Sequence, residues 1–292
     1  MRRLIVNADD LGYTSGINRA IFQAHTAGLV TSTTLMANGP AFADACADLG
    51  SLPRLGVGCH VMLIDGSPLS NASSIPSLVH AGAGIPSFRA SLGQFAALAM
   101  FGRMDPRHIE IETAAQIRHL QSAGISPSHI DTHKHTHIFP TVLRPLLRAA
   151  RDCGIRCVRN PFSPGLALPL PALMKHPGTW RRWTEMRVLS RFAATFREIA
   201  LAYGFTTPDG TLGIEVTGML DESLFTAIAQ NIPPGTWEFV CHPGYDDADL
   251  ARSNTRLRQS REIELRVLTS PEVRQALEKS GVELISYRDL AR

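Results

Sequence analysis

The chain of 292 residues has a formal net charge of +3, with 44% hydrophobic and 19% charged residues. These values are ordinary for a globular protein and exclude a disordered chain. Basic residues are spread along the sequence, so the charge gives no reason to expect a nucleic-acid partner.

Short apolar runs alternate with helical stretches from end to end, the pattern of a parallel sheet with helices outside it. Strands are predicted at Leu4–Ala8, Thr31–Ala37, Gly56–Cys59, Ser128–His133, Cys157–Arg159, Ile214–Val216, Glu238–Cys241 and Leu284–Tyr287. Helices are predicted at Gly16–Ala27, Ala41–Leu49, Pro106–Gly124, Val142–Cys153, Glu222–Gln230, Ser253–Leu268 and Pro271–Ser280, several of them ending at a glycine. Such alternation is expected to form an α/β fold, a distorted TIM-like (β/α) barrel, as a single domain over residues 1–292. Two stretches break the rhythm, about 65–105 and 161–210, rich in Ser, Gly and Pro, and insertions of this kind shape substrate pockets.

The N-terminus passes from Arg2-Arg3-Leu4-Ile5-Val6 straight to Asn7-Ala8-Asp9-Asp10, which leaves no room for the apolar stretch of a signal peptide. No run approaches the ~18 apolar residues of a membrane span. The cysteines, Cys46, Cys59, Cys153, Cys157 and Cys241, are odd in number and lack CxxC spacing, as small buried hydrophobes in a reducing cytoplasm would. A cytoplasmic location is therefore expected.

Polar residues fall at the strand exits: Asp9-Asp10, Asn38, His60, the run from Asp131 to His137, Arg159-Asn160 and His242. In a β/α barrel those exits converge on one face, where active sites are built. Asp9 and Asp10 would repel each other unless a cation or a proton separates their roles, which suggests one metal ligand and one general base, although either can cap the following helix. His60 lies on a buried strand flanked by glycines, which allow a ligand or backbone to approach. His242 ends a strand before a turn, where it can serve as a general acid or make a structural hydrogen bond. Arg159 can hold an active-site carboxylate ionised or simply pair at the barrel rim.

In an extended strand, Asp131, His133, His135 and His137 share one face. At ~3.3 Å per residue His133 and His137 would lie about 13 Å apart, so at most one or two of these histidines bind a given ion. Spacing does not choose between them.

Taken together, Asn7-Ala8-Asp9-Asp10-Leu11-Gly12, Val30-Thr31-Ser32-Thr33-Thr34, Gly58-Cys59-His60, His129 through His137 and Cys241-His242-Pro243-Gly244-Tyr245 resemble the YdjC-like carbohydrate deacetylases, which include the chitooligosaccharide deacetylases. The likeness runs in order over nearly the whole chain. It implies a hydrolase that removes acetyl groups from N-acetylglucosamine units with one divalent metal ion, Mg or Zn. The family's ligands match Asp10, His60 and His133, its base matches Asp9, and its acid or transition-state contact matches His242. Asn38, Asp131, His135, His137, Arg159 and Tyr245 are then expected to support the site or bind substrate.

Many relatives carry a Thr shortly after the Gly-x-His motif, whereas this chain reads His60-Val61-Met62-Leu63-Ile64-Asp65-Gly66. That stretch and the later insertion look more like the hopanoid-biosynthesis-associated branch, HpnK, which implies an amino sugar carried on a lipid. Trp180, Trp183, Met186, Leu189, Ala193, Phe196 and Ala200 form a helical stripe with arginines off it. Such a helix can lie on the inner face of an anionic membrane, pack on the protein's own core or meet a second subunit. The competing readings are another metal-dependent barrel hydrolase, such as a phosphoesterase or amidohydrolase, and a non-catalytic sugar- or lipid-binding barrel.

Overall fold

The computed structural model describes residues 1–80, 84–89, 91–164, 187–253 and 255–290. The strands are β1 (Arg2–Leu11), β2 (Ser32–Leu35), β3 (Gly56–Val61), β4 (Ile130–Thr132), β5 (Gly210–Leu212), β6 (Gly235–Cys241) and β7 (Val282–Ile285). All pairs in the sheet are parallel, in the order β4-β3-β2-β1-β6-β5. β6 runs along one edge of β1, so the other edge is shared between β7, against Arg2–Ile5, and β2, against Asn7–Leu11.

The fold is therefore α/β with a curled parallel sheet, as expected, but not a closed eight-stranded barrel. The predicted strand at Cys157–Arg159 makes only single bridges, Val158 to Ile130 and Cys157 to Thr206. Pro161 and Pro208 lack the N–H that a longer ladder would need. Ile214–Val216, predicted as a strand, is a 3-10 turn entered through Gly213 at φ 93°, and the strand lies just before it at β5. The helix predicted at Ser253–Leu268 begins only at Gln259 and runs to Thr269, and a separate short helix, Ala248–Arg252, precedes it. Inside the first insertion stands an unpredicted helix, Leu92–Met100, capped by the Ser91 hydroxyl.

Period-2 alternation decides which residues enter the site. On β1, Leu4, Val6 and Ala8 join the large apolar cluster shared with the surrounding helices, whereas Ile5 belongs to a small separate cluster with Cys157, Ile285 and Tyr287. Asn7 and Asp9 lie on the Ile5 side. The registers carry that face across the sheet: Asn7 pairs Ser32, Thr34 pairs Gly58, His60 pairs Asp131, and Ile5 pairs Glu238. One inner face thus collects Asn7, Asp9, Thr34, His60, Asp131 and Glu238, all buried.

Gly58 sits on this face because nothing larger fits: a Cβ there would lie 2.5 Å from the His129 ring. The glycine near His60 thus makes room for a neighbouring imidazole rather than for a ligand. His129 is stacked on Tyr287 with ring centroids 3.6 Å apart, and its Nε2 lies 3.2 Å from Asn7 Oδ1.

The stripe predicted along residues 180–200 lies partly outside the described residues, which exclude Trp180, Trp183 and Met186. Of the remainder, Phe196 and Ala200 are buried in the core within the helix Ala193–Ala202, with Leu189 and Ala193 half-buried. No helix among the described residues is long and apolar enough to cross a membrane.

Candidate metal centre

In a regular strand, adjacent side chains point to opposite faces, so Asp9 and Asp10 cannot both face one site without a distortion. β1 supplies that distortion. Its register against β2 slips between Ala8 and Leu11, three steps on β1 matching two on β2, and Asp10 takes a left-handed φ of 71°. The bulge turns both carboxylates toward His60. The described chain has four non-glycine residues at positive φ, Asp10, Asp65, Lys134 and His135, and all four surround this centre. Backbone strain of this kind collects at functional sites.

The chain ends β4 at Thr132 and turns sharply through Lys134 and His135, so the histidine run is not an extended strand face. The turn separates the three imidazoles. His133 reaches Asp10 and His60. His137 is fully buried, its Nδ1 2.7 Å from the Thr132 hydroxyl and its Nε2 3.2 Å from the Arg159 carbonyl, which makes it a structural tie. The half-buried His135 has a buried Nδ1 without a partner. Burial pushes the His135 pKa down to about 3 and that of His137 down to about 4.

Three potential ligand atoms converge. Asp10 Oδ1 lies 3.7 Å from His60 Nε2 and 3.5 Å from His133 Nδ1, and the two imidazole nitrogens are 3.3 Å apart. An ion with bonds near 2.1 Å in tetrahedral geometry needs donor separations of about 3.4 Å, so the triad suits such an ion. His60 Nδ1 lies 2.7 Å from Asp131 Oδ1, a carboxylate behind an imidazole that directs Nε2 at the cluster. Burial lowers the His60 pKa, but the Asp131 charge outweighs it and the net shift is upward. His133 is raised to about 9, because hydrogen bonding to Asp10 and Asp65 overcomes burial.

Each aspartate has its own buried guanidinium. Arg159 grips both oxygens of Asp9, at 2.8 and 2.6 Å, and also meets Asp131 at 2.5 Å and Glu238 at 2.7 Å. It is fully buried, so it braces the inner face and does not pair at a rim. Burial alone would raise the Asp9 carboxyl, but Arg159 holds it well below the usual carboxylate range. Glu238, which accepts the Tyr287 hydroxyl at 2.6 Å, is pushed up by burial. Arg261 reaches Asp10 Oδ2 at 2.5 Å, leaving Oδ1 toward the histidines, and with the His133 contact it keeps Asp10 well below its ordinary pKa despite burial.

His242 Nε2 lies 3.9 Å from Asp9 Oδ2, and its backbone N–H donates to Glu264 at 2.6 Å. Burial lowers its pKa, so it is neutral near pH 7. Arg261 and Glu264 occupy one face of the helix Gln259–Thr269, and Gly244 clears their path: a Cβ there would lie 2.9 Å from Arg261 Cδ. Sequence reasoning missed both. Their signal is two charged residues in phase with Leu265 and Leu268 on the buried stripe of a helix.

Two expected site residues sit further out. Tyr245 is tied to the helix Ser15–Thr26, its hydroxyl on Gln23 and its ring 5.7 Å from the Arg19 guanidinium. Asn38 donates to the Ser67 carbonyl at 2.7 Å, at the root of the first insertion, with its Oδ1 buried and unpartnered.

The family model described as YdjC-like protein matches residues 3–279. A carbohydrate deacetylase of Geobacillus stearothermophilus is 34% identical over 99% of this chain and 98% of its own length. A chitooligosaccharide deacetylase of Serratia marcescens is 31% identical, with 98% of each chain covered. Among solved structures, one provisionally described as a cellobiose-phosphate cleavage protein of Enterococcus faecalis V583 is 26% identical, with a TM-score of 0.74 over 100% of this chain and 99% of that one. With the match running from β1 to the helix before β7, the chain belongs to the YdjC-like protein family.

Proposed function

We propose that this protein is a metal-dependent carbohydrate N-deacetylase, one domain over residues 1–292, which hydrolyses the acetamido group of an N-acetylglucosamine-type sugar to acetate and the free amine. The observation that carries this reading is the triad Asp10, His60 and His133, with ligand atoms 3.3–3.7 Å apart, beside a separate ionised carboxylate, Asp9. Full-length similarity to curated carbohydrate deacetylases supports the reaction class.

Asp10, His60 and His133 would hold a divalent ion, Mg or Zn. When bound, such an ion supplies Lewis acidity to the acetyl carbonyl and acidifies water. Arg159 keeps Asp9 charged and aimed, so Asp9 accepts the proton of the attacking water as the C–O bond forms. His242, neutral at the start, stands 3.9 Å from Asp9 and passes that proton to the departing nitrogen as the C–N bond breaks. Asp131 orients His60. His135 and Asn38, the latter beside the first insertion, would bind the sugar.

The substrate proposed is an amino sugar carried on a hopanoid lipid, following the HpnK-like stretch after His60 and the second insertion, with peripheral contact at the inner face of the membrane. The test is acetate release by metal-loaded protein from N-acetylglucosaminyl hopanoid and from di-N-acetylchitobiose. Turnover of the first alone supports the lipid-linked reading, and turnover of the second alone limits it to soluble chitooligosaccharides. Acetate from neither, or phosphate release from a phosphate ester, overturns the deacetylase reading.

A further inference from the structure

The two histidines of the triad face its centre with opposite ring nitrogens. His60 presents Nε2, with Nδ1 against Asp131 Oδ1 at 2.7 Å. His133 presents Nδ1, 3.5 Å from Asp10 Oδ1, and its Nε2 lies 3.7 Å from Asp65 Oδ2. We infer that Asp65 is a positioning residue of the metal centre, the outer carboxylate that fixes His133 in the Nε2–H tautomer as Asp131 fixes His60 in the Nδ1–H tautomer. This rests on the metal reading above.

Asp65 is not placed as an ordinary loop residue. Its φ of 58° is left-handed, and its neighbour across the gap, Lys134, has φ 54°. Lys134 Nζ lies 2.5 Å from Asp65 Oδ2, the oxygen that faces His133. The loop is further held by Asp65 N–H donating to the Arg89 carbonyl at 3.3 Å and by Phe88 N–H donating to the Gly66 carbonyl at 2.9 Å. The first insertion is thereby joined to a candidate metal ligand. A carboxylate behind a ligating imidazole sets its tautomer and raises its donor strength, and losing one costs about 10–100-fold in metal affinity.

A simpler role for Asp65 is a clip, its ion pair with Lys134 merely pinning the loop. The two roles part at Lys134. For a clip, removing either partner has the same effect. For a positioning carboxylate, removing Lys134 leaves Asp65 free to hold His133, and metal affinity is kept or improved.

The test is titration of Zn2+ into metal-free full-length protein: wild type, His60→Ala, Asp65→Asn and Lys134→Met. Asparagine keeps the shape of Asp65 and tolerates left-handed φ, so only the charge is removed. We expect Asp65→Asn to bind about 10–100-fold more weakly and Lys134→Met to bind no more weakly than wild type. Nitrogen-15 spectra of the metal-free proteins, taken above the His133 pKa of about 9 where the ring is neutral, are expected to place the His133 proton on Nε2 in wild type and to lose that preference in Asp65→Asn. Wild-type affinity in Asp65→Asn, or equal weakening in both variants, overturns the inference. If His60→Ala binds Zn2+ as tightly as wild type, the ion lies elsewhere, and the metal reading falls together with this one.

Discussion

Arg159 is the hub of the buried charge network on the inner face. It is fully buried and meets three carboxylates, Asp9, Asp131 and Glu238. Replacing one partner of a buried ion pair leaves charge uncompensated in a low-dielectric interior, at a cost of about 3–5 kcal/mol. Arg159→Met is expected to lose that much in denaturant unfolding. Arg252, whose pair with Asp249 is largely exposed, is expected to cost about 0–1 kcal/mol on the same substitution. Equal effects from the two would mean that the buried network is not what stabilises the inner face.

His133 gives a pH signature at the same scale. In the metal-free protein its pKa is raised from 6.5 to about 9 by Asp10 and Asp65. A raised folded-state pKa contributes stability that is complete below the unfolded value and lost as pH rises through the folded one. The thermal stability advantage of metal-free wild type over His133→Gln is therefore expected to shrink between about pH 6.5 and 9. A difference flat across that window would mean that His133 is not held as an imidazolium by its carboxylates.

At the scale of the element, β3 depends on a glycine. A Cβ on Gly58 would fall within 2.6 Å of three His129 ring atoms, and His129 cannot retreat because Tyr287 is stacked behind it. Gly58→Ala must shift either the ring or the strand, a strain of about 1–3 kcal/mol for an overfilled interior. Because His60 lies two residues further along β3, the variant is also expected to bind divalent metal more weakly, as read by urea unfolding and metal titration. Unchanged stability together with unchanged affinity would contradict this account of the inner face. The helix Gln259–Thr269 has a comparable role on the opposite side, where Arg261 and Glu264 reach Asp10 and the backbone of His242.

For the whole molecule, the metal reading predicts linkage between ion binding and stability. An ion that binds only the folded chain adds about 2.7 kcal/mol at a concentration one hundred times its dissociation constant. The melting temperature is expected to rise with added divalent ion, to fall on chelation, and to lose both responses in His60→Ala. A chelator-insensitive wild type would remove the ion from the account of this fold.

The sequence by itself determined the parallel α/β alternation, the polar strand exits and the aspartate and histidine motifs, because apolar period and turn chemistry are local properties. It also determined that Asp9, Asp10, His60, Asp131 and His242 belong together, since strand ends of one parallel sheet point the same way. The tertiary structure decided what long-range packing controls. It left the arc between β4 and β5 joined only by single bridges, where prolines withhold their N–H groups. It replaced the extended histidine face with a left-handed turn that sends His133 to Asp10 and His137 into the core. The bulge at Asp10 brings two adjacent carboxylates to one face, and the guanidiniums that hold them, Arg159 on Asp9 and Arg261 on Asp10, lie 150 and 251 residues away in the chain. No local pattern encodes contacts between residues that meet only after the sheet has curled.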